Sequence, residues 1–259
     1  MLILAPVKAQ PPAFEHQDSL IRYLVFIQSD THEGNATEAY FAALYLQTTQ
    51  FIDRMCDQSR FKDADFVRKM MLDFGNRFAF AVYYKDSLTQ LPEPWKDAFY
   101  GRKKPLTETQ KLTLAINAHV NYDLPESLFS LYPLGSIRHL YGDFKQIDEI
   151  FDSIGIAFYQ RVIGIYPWNE REIRVLNRSM KGSMKFGSWS RKRVFNLAEK
   201  YAKGDKKKKG RIIKRKNRRA NQISGLLSNP KGLLKRSFHI LQKTEFVQPQ
   251  ENINRWFGT

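Results

Sequence analysis

Apolar residues recur every three or four positions from about residue 15 to residue 203, and two-residue alternation is scarce, so the chain reads as a series of helices. The first is expected over residues 16–28. Asn35-Ala-Thr-Glu38 has the form of a capping box and opens a long helix to about Asp57. Asp63 or Asp65 starts the next, whose apolar face is Phe66, Met70, Phe74, Phe78, Ala81 and Val82. Prolines at 92, 94 and 105 confine a short helical turn around residues 95–100. Thr107-Glu-Thr-Gln110 caps a helix that runs into Pro125, where it is expected to end or kink near Asp123, because proline disfavours helical geometry at the residue before it. A short segment over residues 126–131 follows. Asp143 is expected to cap a helix carrying Phe144, Ile147, Phe151, Ile154, Phe158 and Val162, and Asn169-Glu-Arg-Glu172 to cap another. A last body helix covers residues 189–202, with Gly204 as its left-handed C-terminal residue. About seven helices with short loops define an all-α bundle, with no internal repeat.

Charge then divides the chain. The formal net charge is +16, but residues 200–259 hold 17 Lys and Arg against 3 Asp and Glu, and the other 199 residues are nearly balanced at 25 against 23. Twelve Lys and Arg fall between Lys200 and Arg219, a run too charged and too poor in apolar residues to fold by itself. Leu233, Leu234, Phe238 and Leu241 then make a stripe among Lys231, Lys235 and Arg236, the pattern of a short basic amphipathic helix. The expected organisation is an all-helical domain over residues 1–202 and a basic, partly disordered extension over 203–259.

With 19 Phe, 12 Tyr and 4 Trp, the core is built from large side chains. A single cysteine, Cys56, excludes a disulfide framework and a thiolate zinc cluster, and a packed core thiol is its expected role. The start, Met1-Leu-Ile-Leu-Ala-Pro6, has no basic residue before its short apolar run, and no apolar stretch approaches the ~18 residues of a membrane span. Cytoplasm is the expected compartment. No glycine-rich phosphate loop and no GxSxG elbow is present.

The chemistry concentrates in Asn117-Ala-His-Val-Asn-Tyr-Asp-Leu-Pro125, where four hydrogen-bonding or ionisable side chains interrupt an apolar run. Each needs a partner, because an unpaired buried polar group costs about 1–3 kcal/mol. Asn117 and Asn121 are four apart and share one helical face. His119 and Asp123 are four apart and share another, about 200° round the helix. The asparagines are expected to bond to neighbouring helices. For His119 and Asp123 three readings stand side by side: a buried structural pair, a catalytic or ligand-contacting pair, and two ligands of a divalent metal. On the preceding long helix Asp73, Arg77, Phe80 and Tyr84 form one stripe; Asp73 and Arg77 are an ordinary intrahelical pair or, facing His119, a third ligand and an anion clamp. Tyr84, Asn117 and Asn121 are candidate ligand contacts. Asp53, Asp143 and Asp148 are further carboxylates available to a metal. The remaining histidines (16, 32, 139 and 239) show no ligand spacing, so any metal site is expected to be carboxylate-rich.

The stretch from Asn117 to Leu128 resembles the central motif of a bacterial family catalogued as domain of unknown function 5995, written Asn-Ala-His-Ile-Asn-x-Asp-Leu-Pro. Tyr45-Leu46-x-x-Thr49, Phe74 to Tyr83, Pro94-Trp95-x-x-Ala98-Phe99 and Arg191 to Ala198 support it. The resemblance covers roughly residues 17–202 and implies an all-helical protein with a site at the motif; the basic tail reads as an addition. His119-x-x-x-Asp123 is also similar to the form used by all-helical zinc phospholipases C and single-strand nucleases. Those enzymes need several more histidines and an N-terminal tryptophan ligand, which this chain does not supply. Two functions follow as expectations. One is a metal-assisted, hydrolase-like enzyme acting on a small or lipid-like molecule, with His119 as base or ligand. The other is a non-catalytic protein whose basic tail docks on an anionic membrane surface or on nucleic acid.

Overall fold

A computed structural model describes residues 10–31, 36–102, 105–246 and 248–258. The first residues of the chain, His32, the Asn35 cap and Lys103–Lys104 lie outside the described residues. Eleven α-helical segments and no strand are present among the described residues. They are α1 (Gln17–Ser29), α2 (Ala36–Asp57), α3 (Ala64–Tyr83), α4 (Glu93–Tyr100), α5 (Glu108–Ala118), α6 (Leu124–Leu131), α7 (Tyr141–Gly164), α8 (Glu170–Ala202), α9 (Lys206–Ser228), α10 (Gly232–Leu241) and α11 (Pro249–Phe257). A π-helical turn, His119–Asp123, joins α5 to α6, so these two are one continuous helix and the total is ten rather than about seven.

The local signals explain most boundaries. Asp63 caps α3 by accepting from the Phe66 N–H at 2.8 Å. Thr107 with Gln110 and Asn169 with Glu172 form complete capping boxes for α5 and α8. Asp143 departs from its expected role. It lies inside the first turn of α7, and its carboxylate accepts from the backbone N–H groups of Lys62 and Asp63 at 2.9 and 2.7 Å, tying the start of α3 to α7. The expected break between the Asn169 helix and residues 189–202 is absent, because α8 runs unbroken for 33 residues. It ends near Gly204, but Gly204 does not adopt a positive φ.

The core centres on α2, α3, α4 and the α5–π–α6 helix, with Trp95, Tyr40, Phe66, Phe74 and Phe78 among its largest fully buried side chains. Gly75 allows α1 to approach α3 closely, since a methyl group there would strike the side chain of Leu20. Cys56 is 4% exposed, and burial pushes its thiol up to about 11, as for a packed core residue.

The basic extension is where the structure differs most from the expectation of disorder. Asp205 caps α9 on the Lys208 N–H at 2.7 Å, and Ile212, Ala220 and Ile223 are buried on one side of that helix, which packs on α5. Lysines and arginines fill the other side, which hides the apolar stripe from a composition count. The helix α10 lies on α8 with Phe238 and Ile240 buried, and α11 lies on α2 and α7 with Ile253, Trp256 and Phe257 fully buried. No helix among the described residues is long and apolar enough to cross a membrane.

Candidate functional site

Pro125 does not end the helix, which continues through the π-turn into α6. Across the π-turn the Leu124 N–H bonds to the His119 carbonyl five residues back, and Leu124 keeps right-handed helical angles. The widened turn absorbs the proline, which has no N–H and whose ring would crowd the carbonyl of Asn121 in a regular α-helix. It also sets the four polar side chains of the motif.

His119 is 3% exposed and lies flat against Phe74, ring centroids 3.4 Å apart at 10°. Phe41 and Tyr45 meet it edge-on at 5.0 and 4.9 Å. Its Nδ1 is 3.0 Å from Oδ2 of Asp123, and the same oxygen accepts from the Trp95 indole N–H at 2.9 Å. A carboxylate offers only lone pairs, so Nδ1 carries the proton and Nε2 holds the free pair. Nε2 is buried without a hydrogen-bond partner. Burial holds the imidazole below its ordinary pKa, outweighing the opposite pull of Asp123, and the Arg77 charge adds to the depression. The result is a neutral, oriented imidazole with one acceptor atom unused.

This has a consequence for pH. A histidine whose folded pKa is depressed takes up its proton more readily in the unfolded chain. Stability contributed by neutral His119 is therefore complete above the unfolded value near 6.5 and falls as pH drops through and below it, by up to ~1.4 kcal/mol per pH unit. Thermal melts between neutral and mildly acidic pH are expected to show this slope in the wild type. His119→Phe, which keeps the stacked ring, is expected to flatten it, and an unchanged slope would remove His119 as its origin.

The motif borders a cavity of about 370 Å³, lined mostly by apolar side chains of α2, α5, α7, α8 and α10. His119, Val120 and Asn121 all contribute to its wall, so the cavity borders the turn on more than one side. Three of the four polar residues of the motif, Asn117, His119 and Asn121, therefore line the one cavity. Asp123 is absent from the wall and stands on the Trp95 side. Asn117 donates to the Ala220 carbonyl and the Ser224 hydroxyl on α9 at 3.1 and 3.0 Å, as expected of a residue bonding to a neighbouring helix, whereas Asn121 donates to Asn117 on its own helix at 3.1 Å. The charged side chains of the wall, Arg191 and Asp152, are bonded to each other, and Asp148 takes a second donor of Arg191. Most hydroxyls are also engaged: Thr48 and Thr113 donate to backbone carbonyls, and Ser179 pairs with Ser237. The buried polar wall atoms without a partner, among the described residues, are His119 Nε2 and Ser190 Oγ.

Other expected site residues are elsewhere. Arg77 bonds to Asp73, Ser127 and Ser130 at 2.8, 2.9 and 2.8 Å, so the pair clamps α3 to α6 rather than facing the cavity. Tyr84 caps α3 and contacts the rings of Phe80 and Tyr83, away from the cavity. Asp53 stands 3.9 Å from Arg68. No group of three or more His, Cys, Asp or Glu side chains able to hold a metal ion occurs among the described residues. His119 and Asp123 thus have no third ligand there, and they are joined to each other.

The structure adds residues that the motif did not reveal. Trp95 and Phe74 belong to segments of the family resemblance, but nothing in their spacing tied them to Asp123 or His119. Lys216, within the basic run, is 3% exposed and bonded to Glu126, with its ammonium 3.6 Å from the centroid of the Tyr122 ring. Burial pulls its pKa down against the opposing effect of Glu126. Its signal was positional: Ile212, Lys216, Ala220 and Ile223 fall on one helical face.

No curated protein and no solved structure matches the chain. A family profile described as "Family of unknown function (DUF5995)" matches residues 17–230. The match reaches beyond residue 202 and takes in α9, so the basic helix that supports Asn117 is part of the family pattern rather than an addition to it. Covering more than half of the sequence and the whole His119–Asp123 turn, it shows that this chain belongs to the DUF5995 family.

Proposed function

We propose that this protein binds a neutral, largely apolar small molecule in the cavity beside the π-turn and that His119 receives a hydrogen bond from it. The observation that carries this reading is the unpartnered Nε2 of a buried, neutral, Asp123-oriented histidine on the wall of an apolar cavity. A buried acceptor without a partner costs about 1–3 kcal/mol, and a ligand hydroxyl or amine would remove that cost. The volume suits a molecule of drug or fatty-chain size. Neutrality follows from the pairing of Arg191 with the Asp148 and Asp152 carboxylates, which leaves the cavity wall no free charge for an ionic headgroup.

The same relay defines what chemistry is open to the site. Asp123 orients the ring through Nδ1, and Nε2 is the atom that would take a proton from a bound hydroxyl or water, the arrangement of a general base. This supports a metal-independent form of the hydrolase-like reading. The metal-assisted form would need ligands beyond His119 and Asp123.

The test is titration with the neutral apolar fluorophore N-phenyl-1-naphthylamine. Saturable one-to-one uptake is expected. Ser183 is an exposed residue that also lines the cavity, so Ser183→Phe obstructs the opening without disturbing the core. It is expected to weaken uptake at least ~10-fold, equivalent to ~1.4 kcal/mol. Uptake that is absent, or indifferent to Ser183→Phe, would refute the reading.

A further inference from the structure

The outer face of α8 is neither core nor an ordinary solvated surface. Arg178, Lys185, Trp189 and Lys192 follow at seven-, four- and three-residue steps, so they form one stripe, and all four are exposed. Trp189 is 47% exposed, and the guanidinium groups of Arg219 and Arg193 lie 4.4 and 5.5 Å from its ring centroid. Phe186, 43% exposed, stands beside the stripe and also lines the cavity. Where α9 turns into α10, Leu226 and Leu233 are 67% and 42% exposed, with Lys231, Lys235 and Arg236 exposed around them. The charge has a single sign. No Asp or Glu occurs between Glu172 and Glu199, or between Asp205 and Glu245.

We propose that the outer face of α8, with the α9–α10 turn, docks on an anionic lipid bilayer. Basic side chains at such a surface are attracted to anionic headgroups, and tryptophan and leucine beside them enter the headgroup–acyl boundary. Nucleic acid fits less well. Trp189 already has a guanidinium against its ring, and Leu226 and Leu233 do not stack on bases. The geometry also couples docking to the cavity, a link that rests on the ligand reading above. Ser183, at the opening, lies about 120° round α8 from Trp189, with Phe186 between them. A docked α8 therefore brings the opening to the edge of the bilayer, where an apolar molecule dissolved in lipid passes into the cavity without crossing water.

Flotation of the full-length protein with vesicles tests this. The expected result is association with mixed phosphatidylcholine–phosphatidylglycerol vesicles at least ~10-fold stronger than with phosphatidylcholine alone, declining as sodium chloride is raised. The double variant Trp189→Ala, Leu233→Ser is expected to lower it roughly 5-fold or more, since exposed anchors contribute through apolar burial. Its melting temperature and its naphthylamine uptake in solution are expected to match the wild type. Equal association with both vesicle types, none with either, or an unaffected double variant would each overturn the proposal. So would tighter binding to random-sequence single-stranded RNA than to anionic vesicles. Naphthylamine uptake is read without lipid: its failure removes the cavity reading and leaves docking standing, and failed flotation with intact uptake does the reverse.

Discussion

A chain ending at Ala202 is expected to lose cooperative folding altogether, although composition makes the removed segment look dispensable. That truncation strips α9, α10 and α11 from the body and with them Ile212, Ile223, Phe238, Ile240, Ile253, Trp256 and Phe257, each no more than 9% exposed. Burying one such aliphatic or aromatic side chain contributes about 1.5–3 kcal/mol by transfer. Removing a buried aromatic costs about 3–5 kcal/mol once the cavity left behind is included. Seven such losses exceed the ~5–15 kcal/mol that separates a typical native state from its unfolded chain. Polar contacts go too. The Phe257 carbonyl accepts from Gln47 and Arg161, both at 2.6 Å, and Asn252 donates to the Tyr40 hydroxyl at 2.9 Å. Near-ultraviolet circular dichroism and a thermal melt of residues 1–202 measure this. A sharp melt within a few degrees of the full chain would show that the last three helices are accessory. Tail deletion is for the same reason a poor probe of what the basic surface binds, and point changes on exposed residues are the informative ones.

Replacing Asp123 by alanine is expected to cost about 3–5 kcal/mol, the largest effect of any single polar substitution at the site. Two donors converge on its Oδ2, the His119 Nδ1–H and the Trp95 indole N–H, and both are buried. Alanine leaves both unpaired, and each orphaned group costs about 1–3 kcal/mol. Asp123→Asn keeps a carbonyl oxygen where the donors point and is expected to cost less than half as much. At ~2–4 °C per kcal/mol for a domain of this size, the alanine variant melts about 6–20 °C below the wild type. The pair also separates positioning from packing. Asp123→Ala leaves nothing to select the Nδ1–H tautomer and is expected to weaken binding of a hydrogen-bonding ligand in the cavity, whereas Asp123→Asn, whose carbonyl oxygen still accepts from Nδ1–H, is expected to retain most of it. Equal costs for the two variants would mean that the hydrogen bonds at Oδ2 contribute little.

How much of this was legible beforehand follows from the range of each interaction. Capping boxes at Thr107 and Asn169 and the apolar face of α3 are local, decided by residues three or four apart, and they stand where the sequence puts them. The family resemblance is likewise borne out by the match over residues 17–230. Asp143 shows the limit. Its spacing suits a cap, yet its carboxylate serves the backbone of Lys62 and Asp63, about 80 positions back, and no local pattern reports that. Asp73 and Arg77 pair as their four-residue spacing predicts, but the serines of α6 that also hold Arg77 lie some 50 residues on.

The sequence by itself determined that the chain is helical, that its charge is concentrated at one end, and that polarity within an apolar run marks the turn from Asn117 to Asp123. Those follow from periodicity and composition, which act through neighbours along the chain. Only the tertiary structure decided that the basic end belongs to the core and that Trp95 shares Asp123 with His119. It also left one nitrogen of His119 buried without a partner in a residue that borders an apolar cavity. The reason is physical: whether a side chain is buried, and whether its last hydrogen bond is made, depends on helices that meet in space from distant parts of the chain. A lysine-rich helix looks solvated until one face of it is packed.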